Sequence, residues 1–129
     1  MKNVLRLIGL LLLIGGSAVA GTIDWFSIPI ILTKPRTVNF GSVRDGTVTT
    51  NTFVIENVGG GRLVGTATVE PPFKIVSGAD YSLKHGSAQI VTVIYEPSGG
   101  ATDERTIKCT GGGGAKVGVV GKLSTRHGK

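Results

Sequence analysis

Beyond Pro35 the apolar side chains fall on every second residue. In TFVIEN, residues 52–57, Phe53 and Ile55 share one face, and in AQIVTVIYEP, residues 88–97, Val91, Val93 and Tyr95 share another. A period of two belongs to strands with one buried face, and no stretch after Pro35 shows the spacing of a helix. Gly, Pro or Asn interrupts the pattern at intervals of roughly ten residues. The pattern predicts strands over residues 30–32, 37–40, 47–57, 63–69, 73–76, 88–95, 106–109 and 116–120. Leu63, Val69, Phe73, Ile75, Ile107, Val117 and Val119 are the expected core partners of the two long strands, with Phe40 closing one end. Two such sheets packed about 10 Å apart interdigitate as a sandwich.

The turns carry their own chemistry. Arg44-Asp45-Gly46 and Asn57-Val58-Gly59-Gly60-Gly61 place glycine where the backbone must reverse, Pro71 and Pro72 stop the fourth predicted strand, and Pro97 ends the sixth. The 21 glycines of this 129-residue chain show no triplet period, so they mark turns in a single compact domain.

The first residues follow a different rule. Lys2 and Arg6 precede the apolar run of residues 7–14, and Ala18-Val19-Ala20 supplies the small-residue pattern of a signal peptidase site, which implies export. Two fates stay open. Cleavage after Ala20 would release the domain. Retention would use the 17 residues 7–23 as a single span, about 26 Å of helix against a hydrocarbon core of about 30 Å. Trp25 and Phe26 then stand where interfacial aromatics sit, and the basic residues before the span keep the domain outside the cytoplasm. Pro29 denies residues 24–34 a regular helix or central strand. This lead-in either packs as an edge strand or lets Trp25 and Phe26 rest at a membrane surface or on a partner. The expected organisation is a signal peptide or anchor at 1–23, the lead-in at 24–34, a sandwich at 35–123 and a basic tail at 124–129.

Charge and candidate chemistry narrow the function classes. The net charge is +6, with 14 basic and 8 acidic residues, but the cations are scattered singly. A nucleic-acid footprint needs basic stripes and stacking aromatics, so anionic lipid headgroups or an acidic partner are the more relevant attraction. The Gly-rich stretch TGGGGAKVGVVGKLS fails as a phosphate loop: for Gly121-Lys122 the first glycine position holds Lys116 and the last holds Leu123. A connection between strands is expected there, and no nucleotide. Two histidines, His85 and His127, make no metal site, and Asp103-Glu104 reads as a solvated strand start short of calcium's oxygen ligands. Neither histidine comes with a motif that would orient it as a base for a serine nucleophile. The expectation is a non-enzyme without cofactor or metal. The one cysteine, Cys109, reads as a small buried hydrophobe on a strand.

PRTVNFGSV at residues 35–43, TFVIENVG at 52–59, Pro72-Phe73, VTVIYEP at 91–97 and the closing Gly121 together resemble the ASH or Hydin-type immunoglobulin-like domains, relatives of the major sperm protein and PapD-type sandwiches. The resemblance spans residues 35–121. It implies an immunoglobulin-like antiparallel β-sandwich of seven to eight strands, preceded here by one hydrophobic helix, and a non-catalytic interaction module. If Phe53, Ile55, Val91, Val93 and Tyr95 point inward, then Val54, Ile90 and Ile94 point outward. They are either tolerated surface residues or a hydrophobic docking face. The resulting expectation is a structural or protein-interaction subunit exposed outside the cytoplasm, an accessory of a larger membrane or envelope complex. The alternative is a secreted adhesin or carbohydrate reader.

Overall fold

A computed structural model describes residues 27–124; the expected N-terminal helix, Trp25, Phe26 and the end of the basic tail lie outside this range. Nine strands form two sheets: β1 (Ile31–Lys34), β2 (Thr37–Arg44), β3 (Thr49–Asn57), β4 (Arg62–Thr68), β5 (Phe73–Ser77), β6 (Asp80–Lys84), β7 (Ala88–Tyr95), β8 (Thr102–Cys109) and β9 (Ala115–Ser124). Four strands run in the order β1-β3-β7-β5 and five in the order β2-β9-β8-β4-β6. Pro35 and Arg36 carry the chain from one sheet to the other, so β1 pairs with β3 while β2 pairs with β9. The β2–β9 pairing is parallel, in an otherwise antiparallel sandwich.

The alternation read in the sequence builds the core. Phe53, Ile55, Val91, Val93, Tyr95, Leu63, Ile107, Val117 and Val119 are at most 1% exposed, and Val38, Phe40 and Phe73 join them. Val69 and Ile75 are only half-buried, because they border an open side of the sandwich. Burial of these side chains is the main stabilising term, of the order of 1.5–3 kcal/mol for each large apolar residue. Cys109 is buried, as expected.

Three expectations are corrected. The described residues form nine strands rather than seven to eight, because β6 was not foreseen: DYSLK offers only Tyr81 and Leu83 to the core, among residues of low β-propensity. β2 runs past Phe40 to Arg44 through a bulge at Gly41, whose φ of 69° suits glycine and whose N–H donates to Asn39 Oδ1 at 2.8 Å. Asp103 is not a solvated strand start. It is buried, and accepts a hydrogen bond of 2.7 Å from the Tyr95 hydroxyl.

That bond sets a pH dependence. Burial first, then the Asp103 hydrogen bond and charge, push Tyr95 from 10.0 up to about 12. Burial raises Cys109 from 9.0 to about 11. Both groups hold their protons more tightly folded than unfolded, so their contribution is complete below about pH 9 and is lost as pH rises through the folded values. Denaturant midpoints should therefore fall between pH 9 and 12, and Tyr95→Phe should flatten the upper part of that fall.

Candidate interaction site

The sandwich is open on the side where the chain leaves β4 and returns through β5 and β6. β6 pairs with β4 only over residues 62–66, and beyond Thr66 the Ala67 N–H donates to Ala79 O at 2.8 Å. From there Ala67, Val69, Phe73, Ile75 and Pro97 line a mostly apolar groove of about 630 Å³, rimmed by Glu96 and Lys74. Pro71 and Pro72 keep the β4–β5 connection from closing it as a further strand.

β5 forms one wall and is an edge of its sheet. Phe73 faces Tyr95 in the ladder, and the Glu96 N–H donates to Pro72 O at 3.2 Å. This is the pattern of a non-hydrogen-bonded pair, so Lys74 directs its backbone at β7 while Phe73 and Ile75 direct theirs off the sheet. The Phe73 N–H is taken by Glu70 O at 3.2 Å. By this register the Phe73 carbonyl and the Ile75 backbone face away from β7, along the edge of the sheet. An apolar groove thus runs beside the outward backbone of an edge strand. The last strand, β9, offers no such edge, since β2 and β8 flank it.

The residues singled out from sequence lie on the adjoining face. Val54 sits directly opposite Ile90, which is 61% exposed, and Ile94 sits opposite Thr50 and Lys74. Val54 and Ile94 are half-buried, and the Thr52–Thr92 pair separates Ile94 from the other two. They form a short apolar pair and an outlier, not a broad patch. Trp25 and Phe26 fall outside the described residues. The groove itself was missed; its signal was the sequence VEPPFKI, where two prolines split apolar residues that strands would otherwise have buried.

Other candidate chemistry is accounted for locally. Residues 110–114 connect β8 to β9, two strands, so no helix begins there. The His85 ring is exposed and meets Gly59 O through Nδ1. No group of three or more His, Cys, Asp or Glu side chains clusters among the described residues.

No family model matches the sequence, and no curated protein matches it closely enough to be a relative. Solved structures do match in fold. The chain is similar to the ASH / PapD-like domain 7 of human CEP192, with TM-score 0.63 and 11% identity over 82% of this chain and 92% of that one. It is similar to the Pseudomonas aeruginosa CupB2 chaperone, with TM-score 0.58 and 10% identity over 72% of this chain, and spans 55% of that protein. It is also similar to WR4, a C. elegans MSP family member, with TM-score 0.52 and 13% identity over 76% and 99% of the two chains. The described residues form an all-β sandwich similar in fold to these ASH / PapD-like, chaperone and MSP structures, the fold that the sequence resemblance implied.

Proposed function

We propose that the protein is an exported, membrane-anchored interaction module that docks an extended segment of a partner protein along β5. The carrying observation is that β5 is an edge strand whose Phe73 carbonyl and Ile75 backbone face away from β7, beside the groove. An added strand gains main-chain hydrogen bonds from such an edge and places alternate side chains into the pocket. The ASH, PapD-like and chaperone folds to which the chain is similar support a protein-interaction role. The sequence of residues 1–23 supports attachment to a membrane complex on its non-cytoplasmic side. The module needs no cofactor or catalytic group of its own.

A photoreactive residue at position 75, in protein expressed in its native membrane, tests this. Adducts should form from 75 and not from Thr106, which is exposed on the other sheet. Equal adducts from both, or none from 75, would overturn the assignment.

A further inference from the structure

The end of the sandwich where the described chain begins differs from the opposite end in charge. It consists of residues 27–30 and the turns at 57–61, 85–87 and 111–114. Close backbone approaches join them: Gly59 lies against Ile28 and Ile30, Gly61 against Ser27, and Gly112 against Ile30 and Ile31. None of these segments contains Asp or Glu.

Two pairs of cations border the same turns. Arg62 stands directly opposite Lys84 across β4 and β6, and Lys108 directly opposite Lys116 across β8 and β9. All four are exposed. Like charges in facing positions destabilise a sheet, so two such pairs are a local cost that the fold alone does not repay. Among the described residues the Arg62 guanidinium donates to Ser82, at 3.2 Å to the carbonyl and 3.0 Å to the hydroxyl, and forms no ion pair. The nearest acids are otherwise engaged. Glu56 pairs with Lys34 at 3.5 Å, and Asp80 accepts from the Thr66 hydroxyl at 2.9 Å. The remaining described acids, Asp45, Glu70, Glu96, Asp103 and Glu104, belong to the turns and strand starts of the far end.

Apolar side chains accompany the cations. Ile28, Ile30 and Val58 are 37%, 49% and 42% exposed, and the Val58 N–H donates to Ile30 O at 2.9 Å. Unmatched cations beside exposed aliphatic tips suit the boundary between anionic headgroups and acyl chains. With residues 7–23 retained as an anchor, this end is the part of the domain that stands next to the bilayer along the chain. Ile28 follows the apolar run ending at Ile23 by five residues, which extended backbone covers in about 17 Å.

We infer that this end of the domain seats on anionic lipid headgroups, with Arg62, Lys84, Lys108 and Lys116 meeting phosphates and Ile28, Ile30 and Val58 entering the interface. The inference rests on the reading that residues 1–23 stay in the membrane. It leaves the β5 groove, beside Pro71, Pro72 and Pro97 at the other end, clear of the bilayer for a partner.

The test is lysine acetylation of the full chain in vesicles of phosphatidylcholine with and without phosphatidylglycerol. Lys84, Lys108 and Lys116 should be protected severalfold, relative to Lys74 and Lys122, only when phosphatidylglycerol is present, and high salt should remove the protection. R62E and K116E each turn a facing like pair into an opposite pair, so the fold is kept while the protection drops. Equal labelling of both ends, or protection identical in the two lipids, overturns the inference. Protection seen only in native membranes and absent from vesicles points to an acidic protein instead and also overturns it. A chain that fails to sediment with phosphatidylcholine vesicles overturns the anchor alone. Protection specific to phosphatidylglycerol would then still support the lipid contact.

Discussion

Replacing Asn57 with leucine should cost about 3–5 kcal/mol of folding stability, although the two side chains are similar in size. Asn57 is fully buried, and all of its side-chain capacity is used. Oδ1 accepts from the N–H of Ile30 at 3.2 Å and of Gly59 at 3.0 Å, while Nδ2 donates to Gly61 O at 3.1 Å and Leu83 O at 2.9 Å. One amide therefore joins the lead-in, the turn after β3 and the end of β6. Leucine leaves four backbone groups to find water or go unpaired, at about 1–3 kcal/mol for each that stays buried. For a domain of this size the midpoint of thermal unfolding should fall by roughly 15–30 °C. A change below a few degrees would show that water replaces the amide and that the network does not hold the turn.

Gly121→Ala should be comparably damaging, at about 3 kcal/mol or more. A Cβ there would lie 2.2 Å from Tyr95 Cε2 and 2.5 Å from Cδ2. The ring has nowhere to go: it stacks on Phe73 with centroids 4.7 Å apart, contacts Phe40 at 5.6 Å and is tethered by its hydroxyl to Asp103. Removing the ring should relieve the clash. Tyr95→Leu combined with Gly121→Ala should be more stable than the sum of the single losses implies, by about 1–2 kcal/mol in a denaturation cycle. Strict additivity would mean that the two residues do not meet.

These two positions also show what the sequence made legible. The period of two located the inward residues, because a pleated strand alternates faces whatever its neighbours are. Gly121 could be read as part of a motif, but its reason, the Tyr95 ring, lies on another sheet and has no local signature. Asn57 read as the end of a strand and the opening of a turn, which it is; its bond to Leu83 O involves β6, the strand that the sequence hid. Asp103 misled for the same reason, since an acid at a strand start looks solvated until a tyrosine is folded onto it. Of the candidate site, Val54, Ile90 and Ile94 were legible as outward residues, whereas the groove arises where β6 ceases to cover β4, a fact of topology. The facing cation pairs are likewise visible only once the register is known.

The central claim is that a partner adds a strand to β5, and crosslinking from positions along that strand tests it most directly. The account expects adducts from 74 and 75, which line the groove, that map to one short extended segment of a single partner, and none from 106 on the opposite sheet. Adducts centred on 54 and 90 would instead place the contact on the sheet face, and a free β5 edge in the intact membrane complex would contradict the account.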